Sequence, residues 1–288
     1  MNQSVFLTVG LPVALAIIML GLGLSLTLND FKRVLVYPKA VVVALLCQGV
    51  LLPAACFVLC LLFRLPPELA VGMMLLAASP GGTSANLYSH LAHGDVALNI
   101  TLTAINSVIA IVTMPFIVNL SLMYFFEHGA VLPLQFDKVL QVFAIVMIPV
   151  MIGMFIRHKA PDFSARMDKP VRAFSLFFLI AVVVLVTVTQ WGVLYASIAI
   201  IGGVVLTFNV LSLAVGYWVP RFTGIDQRQS IAIGMEIGIH NGTLAIAMAM
   251  SPNLLDNPQM ALPAAVYGGL VFFTAAVFGV LVNRGRRD

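Results

Sequence analysis

The sequence predicts an all-α integral membrane protein with about nine transmembrane helices. Of its 288 residues, 61% are hydrophobic and 9% are charged, and the mean hydropathy is +1.07. Soluble domains carry roughly a quarter charged residues, so this composition is suited to a bilayer. The apolar stretches are continuous runs of about 20 residues, the length of a helix that crosses the hydrocarbon core. They lack the alternation of polar and apolar residues that strands of a membrane barrel need.

Charged and turn-forming residues divide the apolar runs into nine predicted spans. The first run has no basic residues before it and no A-x-A site after it, so we expect a retained helix and not a signal peptide. All three cysteines lie in the second run, which predicts reduced, buried thiols. The predicted spans cover about residues 5–28, 40–63, 69–91, 97–125, 139–156, 173–190, 193–219, 229–250 and 262–283.

Positive charge is distributed unequally between the two sides of the predicted membrane. With nine spans, 13 of the 15 Lys and Arg residues fall on one side, and Arg64 and Lys138 fall on the other. We expect the protein in the cell (inner) membrane, where the positive-inside rule places the C-terminus in the cytoplasm and the N-terminus on the outer side. This orientation explains the net charge of +4, which therefore does not indicate a nucleic-acid partner. The oligomeric state stays open.

A single acidic residue, Glu236, lies deep within a predicted span. Its segment reads IAIGMEIGIHNGTLAIAMAM, and the other ten acidic residues fall in predicted loops, at span ends or in the tail. An ionised carboxylate at the centre of a membrane helix costs at least about 2.5 kcal/mol, so it should face the protein interior. Because no Lys or Arg lies deep in any predicted span, we expect a bound cation or a proton to neutralise Glu236.

Two predicted spans are interrupted by helix-breaking residues. In the third, Pro80, Gly81 and Gly82 precede polar residues in PGGTSAN; in the eighth, Gly238 and Gly242 lie close to Glu236. Spans five apart run in opposite directions, and paired interrupted spans of this kind are typical of an inverted-repeat transporter with its site near the midplane. The chain is therefore predicted to be one membrane domain, with four spans in residues 1–126, lacking a first helix, and five in residues 127–288.

Three short motifs extend this prediction. PGGTSAN, EIGIHN and CQGVLLP resemble motifs of the bile acid:sodium symporter family, and the resemblance runs from about Met19 to the C-terminus. The chain is similar to the nine-span form of that family, which lacks the first of ten spans. The resemblance implies a sodium-coupled symporter that imports a small organic anion by alternating access, with one or two Na⁺ per cycle. A small carboxylate is expected, with a bile-acid-like anion as the alternative.

The resemblance also implies two sodium sites and a substrate site at the interrupted spans. The residues implied for the first sodium site are Asn86, Asn99, Thr103 and Glu236. Those implied for the second are Gln48, Glu236, His240 and the main-chain carbonyls of Ile237 and Ile239. Those implied to face the substrate are Thr83 and Asn241.

Three positions differ from the family pattern. Ala85 stands where a serine is typical, with Ser84 one place earlier, and Asn99 replaces a hydroxyl residue but keeps an oxygen ligand. His240 replaces a glutamine, and imidazole nitrogen suits transition metals better than Na⁺. The second site could therefore be weakened, lost or partly proton-linked.

Other functions remain open at this stage. A proton-coupled organic-anion transporter would use Glu236 and His240, four residues apart on one helical face, as its titrating pair. An intramembrane metalloenzyme could use the same pair, but the sequence contains no H-E-x-x-H or G-x-S-x-G motif, so an enzyme is not expected. Gln48 and Thr103 could also serve only as hydrogen-bonding contacts between helices, a common role for such residues in membranes.

Overall fold

The computed structural model describes residues 10–82, 84–126, 136–252 and 254–284, and these residues are helical throughout apart from turns and one isolated bridge. A π-helical turn lies at Cys47–Leu51, and 3-10 turns lie at Arg33–Leu35 and Pro258–Ala261. The helices are α1 Leu11–Ser25, α2 Leu28–Lys32, α3 Pro38–Leu62, α4 Pro67–Ala78, α5 Ser84–Leu91, α6 Val96–Phe125, α7 Phe136–Lys159, α8 Pro161–Thr189, α9 Trp191–Phe222, α10 Gln227–Gly238, α11 Gly242–Met250 and α12 Leu262–Asn283.

The helix lengths fit a membrane protein. Within the described ranges, five helices are long and apolar enough to cross a bilayer, or six if the bent pair at the start, whose arms meet at 69°, counts as one span. The prediction of a helical membrane protein is thus confirmed. The nine-span count and the two inverted repeats stay predictions.

Local sequence explains where several helices begin and change shape. Proline occupies the first turn of α3, α4 and α8, where its missing amide hydrogen has no helical partner to lose. Asp95 and Asp226 cap α6 and α10 by accepting hydrogen bonds from the main-chain amides of Leu98 and Gln229. Inside α3, Pro53 cannot donate to the Gly49 carbonyl, and the helix widens to a π turn over Cys47–Leu51.

The interrupted segments form the centre of the molecule. Every residue in Leu69–Ala78 of α4, Ser230–Gly238 of α10 and Leu244–Met250 of α11 is buried. In contrast, only 14% of the apolar window of α8 is buried, so α8 lies at the periphery. Irregular backbone is tolerated at membrane depth only where protein or a water-filled cavity surrounds it, and the central position of the two breaks meets this requirement.

Candidate cation and substrate site

The two helix breaks meet and pair through their main chains. Between α4 and α5, Gly82 donates its amide hydrogen to the Ile239 carbonyl at 2.7 Å, and Asn241 donates to the Pro80 carbonyl at 2.8 Å. Gly81 and His240 form an antiparallel bridge between these bonds. Each break therefore supplies the hydrogen-bond partners that the other loses by leaving the helical pattern.

Glu236 lies beside this crossing and is completely buried in the last turn of α10. Thr103 of α6 donates its hydroxyl hydrogen to Glu236 Oε2 at 2.6 Å, and the Asn106 amide donates to Oε1 at 3.4 Å. In the part of the chain that the structure describes, no basic side chain forms an ion pair with Glu236. A buried carboxylate held by two neutral donors still lacks a positive partner, and this suits a bound cation.

Of the residues implied for the first sodium site, Thr103 contacts this carboxylate directly. Asn99, one turn before Thr103, donates its amide to the Ala232 carbonyl of α10 at 2.7 Å. The side-chain oxygens of Asn99 and Asn86 are buried and have no hydrogen-bond partner among the described residues. The structure thus brings Thr103 into contact with Glu236 and provides two unpaired amide oxygens, which are suitable ligands for a hard cation.

Two of the residues implied for the second sodium site, Gln48 and His240, meet at the Ser79 carbonyl. Gln48, in the π turn of α3, donates its amide to the Ser79 carbonyl at 2.9 Å and to the Ala77 carbonyl at 3.3 Å. His240 Nδ1 lies 3.3 Å from the same Ser79 carbonyl. Since a carbonyl only accepts, Nδ1 carries the hydrogen and Nε2 is left as an acceptor. Gln48 Oε1 and His240 Nε2 are buried, with no hydrogen-bond partner among the described atoms.

The two main-chain carbonyls implied for the second sodium site have different surroundings. The Ile239 carbonyl already accepts from Gly82, whereas Asn241, whose amide would pair with Ile237 in a continuous helix, donates to Pro80 instead. The Ile237 carbonyl is therefore released from the helical pattern.

A cavity of about 380 Å³ lies against the crossing. Its polar wall includes Ser84 at the start of α5 and His240, Asn241 and Thr243 at the start of α11. Asn241 Oδ1 caps α11 by accepting from the Leu244 amide at 3.0 Å, so its amide hydrogens are the part that can reach a ligand. Thr83, the other residue implied to face the substrate, lies outside the described residues.

Three polar residues at this site were not predicted from the sequence. Asn106 lies seven residues after Asn99, about two helical turns along the same face of α6, and this spacing could have indicated it. Asn209 of α9 and Tyr267 of α12 are completely buried and contact the Gly238 carbonyl at the end of α10. The sequence signal for them is weak, because a lone Asn or Tyr in an apolar span is common in helix packing.

A match to a known protein family accompanies these structural features. A sequence model of the Sodium Bile acid symporter family matches residues 12–197. The chain belongs to the sodium bile acid symporter family. The resemblance predicted from the three motifs is thereby confirmed.

Relatives in the sodium bile acid symporter family come from bacteria, plants and animals. An uncharacterized sodium-dependent transporter of Bacillus subtilis is 30% identical over 261 residues, which are 89% of this chain and 78% of the relative. A chloroplastic protein of Arabidopsis thaliana, named a probable sodium/metabolite cotransporter, is 30% identical over 88% of this chain and 62% of its own length. The human ileal sodium/bile acid cotransporter is 25% identical over 88% of this chain and 73% of that protein.

Membership of the sodium bile acid symporter family identifies the chain as a multi-pass, sodium-dependent membrane transporter. The family is not enzymatic, so the alternative of an intramembrane metalloenzyme is excluded. Sodium is the coupling ion that the family implies, and a small molecule is the substrate class.

Proposed function

We propose that the protein is a symporter that imports a small organic anion with Na⁺ by alternating access. The observation that carries the proposal is Glu236, a fully buried carboxylate beside two paired helix breaks, with neutral donors as its side-chain partners. A positive charge is needed there to balance the carboxylate, and a coupling cation supplies it when bound. Removing the cation would leave an unpaired buried charge, so cation binding and the arrangement of the crossing are linked.

The first Na⁺ would bind Glu236 together with the side-chain oxygens of Thr103, Asn99 and Asn86. All are hard oxygen ligands of the type that suits a small monovalent cation. The unpaired, buried oxygens of Asn86 and Asn99 support this assignment, because a buried acceptor without a partner is costly unless a ligand fills the gap.

A second Na⁺ would use Gln48, His240 and Glu236 with the carbonyls of Ile237 and Ile239. The Gln48 oxygen is unpaired, but His240 offers only a nitrogen, and the Ile239 carbonyl already accepts from Gly82. One proposed ligand of this position is therefore a nitrogen, whereas all four of the first position are oxygens. We expect weaker Na⁺ binding here than at the first position.

The substrate would occupy the cavity beside Asn241. A volume of about 380 Å³ falls within the usual range of small-molecule sites. No Lys or Arg is present among the residues that line it, so an anionic group would be bound by main-chain amides at the starts of α5 and α11, by Asn241 and by the field of the bound cation. The relatives named for metabolites and for bile acids support an organic anion as the substrate class. Import is the direction in which an inward Na⁺ gradient drives a symporter, because the ion and the substrate cross the membrane together.

Proteoliposomes containing the purified protein test the proposal. Organic acids, with taurocholate among them, are first screened for ligands that raise the unfolding temperature in NaCl but not in KCl. Uptake of such a ligand is then measured with inward gradients of Na⁺, K⁺ or H⁺. We expect accumulation with the Na⁺ gradient alone. Equal uptake in K⁺ would contradict sodium coupling, and accumulation that follows the pH gradient would select the proton-coupled alternative.

The hydrogen bond from Thr103 to Glu236 provides a graded test of the first sodium site. Thr103→Val keeps the shape of the side chain but removes the donor and one oxygen ligand. A hydrogen bond to a charged group contributes about 1.5–3 kcal/mol, so the Na⁺ concentration for half-maximal uptake should rise about 10- to 100-fold. Thr101→Val is the matched control, since Thr101 is equally buried in α6 but donates to the Ala97 carbonyl of its own helix. Equal effects of the two substitutions would remove Thr103 from the site.

A further inference from the structure

The break at the end of α10 leaves main-chain groups without their helical partners. In a continuous helix the amides of His240 and Asn241 would donate to the carbonyls of Glu236 and Ile237, and the Gly242 amide would donate to the Gly238 carbonyl. Instead, Asn241 donates to Pro80, and Gly242 donates to the His240 carbonyl at 3.0 Å. The His240 amide and the Gly238 carbonyl therefore need other partners.

Two buried side chains from other helices satisfy both groups. The Tyr267 hydroxyl accepts from the His240 amide at 3.2 Å and donates to the Gly238 carbonyl at 2.5 Å. Asn209 donates its amide to the same carbonyl at 2.9 Å and lies 3.1 Å from the Tyr267 hydroxyl oxygen. Tyr267 and Asn209 are both completely buried, on α12 and α9. The Tyr267 hydroxyl thus accepts in place of the Glu236 carbonyl and donates in place of the Gly242 amide.

We propose that Tyr267 and Asn209 are positioning residues for cation coupling, because they hold the α10 backbone open at Gly238. With His240 bonded to Tyr267, the Glu236 carbonyl is released from the helix; with Asn241 bonded to Pro80, so is the Ile237 carbonyl. The Glu236 carbonyl and carboxylate both lie against Gly81, and the proposed function places the coupling cation at that carboxylate and assigns it the Ile237 carbonyl as a ligand. The inference rests on that proposed function and adds two residues that need not touch the ion.

Without these side chains, the α10 backbone could form helical hydrogen bonds instead. If the Tyr267 hydroxyl is removed, the His240 amide regains a partner by turning back to the Glu236 carbonyl, and the Gly238 carbonyl by accepting from Gly242. The helix would then continue past Gly238, and the Glu236 carbonyl next to the proposed cation position would be occupied within it. Tyr267→Phe should therefore weaken Na⁺ binding about tenfold, the effect of losing a buried hydrogen bond.

The test measures Na⁺ binding without any substrate. Purified full-length protein in detergent is titrated with NaCl against KCl at constant total salt, and the unfolding temperature is recorded. For Tyr267→Phe we expect the midpoint of the Na⁺-dependent rise to move to about tenfold higher Na⁺. A purely structural role would lower the unfolding temperature equally in both salts and leave that midpoint unchanged, which would overturn the inference. Tyr88→Phe is the matched control, because Tyr88 lines the same cavity and its ring stacks on Phe272 at 6.0 Å, a contact that phenylalanine keeps.

A second variant keeps the inference testable if Tyr267→Phe does not fold. Asn209→Ala removes the other donor to Gly238 and should shift the Na⁺ midpoint in the same direction. An unchanged Na⁺ midpoint in Asn209→Ala would overturn the proposal that Asn209 and Tyr267 together position the α10 backbone for cation binding. If the unsubstituted protein shows no Na⁺-dependent rise at all, the proposed function itself fails, whereas a rise that both variants leave unaltered refutes this inference alone.

Discussion

Glu236→Gln is expected to abolish Na⁺-driven accumulation while leaving the protein folded in the membrane. Glutamine has nearly the same shape, and its oxygen can still accept from Thr103, so the packing around α10 survives. It carries no charge, however, and the bound cation would lose its only proposed anionic ligand. Removing one partner of a buried ion pair costs about 3–5 kcal/mol, which corresponds to a loss of more than about 100-fold in Na⁺ affinity. The measurement is uptake into proteoliposomes over a range of Na⁺ concentrations.

Glu68→Gln is the control for Glu236→Gln. The substitution again replaces a carboxylate by an amide, but Glu68 lies in the first turn of α4 and is partly exposed. This variant should transport like the unsubstituted protein. Concentrative, Na⁺-dependent uptake by Glu236→Gln would show that the carboxylate does not carry the coupling, and the cation site would then have to be sought elsewhere.

Gly81→Ala is expected to reduce Na⁺-driven uptake nearly as much as Glu236→Gln, because the added methyl group would collide with Glu236. A Cβ atom on Gly81 would lie 2.3 Å from Glu236 Oε1 and 2.7 Å from the Glu236 carbonyl oxygen, far inside the distance that real Cβ contacts reach. Either the carboxylate or the bridge between the two breaks must move. Overpacking of this kind costs about 1–3 kcal/mol, so Na⁺-driven uptake should fall about 10- to 100-fold.

The neighbouring glycine provides the comparison for Gly81→Ala. A Cβ atom on Gly82 would meet its nearest atoms, the carbonyl oxygens of Ile239 and His240, at 3.5 Å, which is ordinary van der Waals contact. Gly82→Ala should therefore retain most of the uptake, although it lies one residue further along the same break. Equal loss in the two variants would mean that the break needs glycine for backbone freedom and not for the close approach of Glu236.

Long apolar runs made much of the helix arrangement predictable. The predicted spans at 40–63, 97–125, 193–219 and 262–283 correspond closely to α3, α6, α9 and α12, since an apolar run of this length has few alternatives in a bilayer. The span predicted at 173–190 is the exception, because α8 begins at Pro161 and includes charged residues before the apolar run. Hydropathy locates the part of a helix that lies in lipid. It contains little information about how far the helix extends beyond the lipid.

The candidate site was predictable where a single residue conflicts with its surroundings. Glu236 is costly in an apolar span, and Pro80 with the glycines marks the break opposite it, so both could be inferred without a structure. Tyr267 and Asn209 could not, because helical periodicity indicates which face of a helix is buried but not which helix lies against it. Their role depends on the distance between α9, α12 and the end of α10.

The paired breaks also have a mechanical consequence. Pulling them apart would leave the amides of Gly82 and Asn241 and the carbonyls of Ile239 and Pro80 without these partners, at a cost of several kcal/mol for each group that water does not reach. We therefore expect the two breaks to stay paired in any motion that the proposed transport requires. α1 packs chiefly on α7 and α8 and only slightly on α11, which groups these three helices together, although α8 also packs on α12. Under the alternating access that we propose, the side from which the cavity opens would change by sliding along the seam between these two groups of helices, and neither would have to bend.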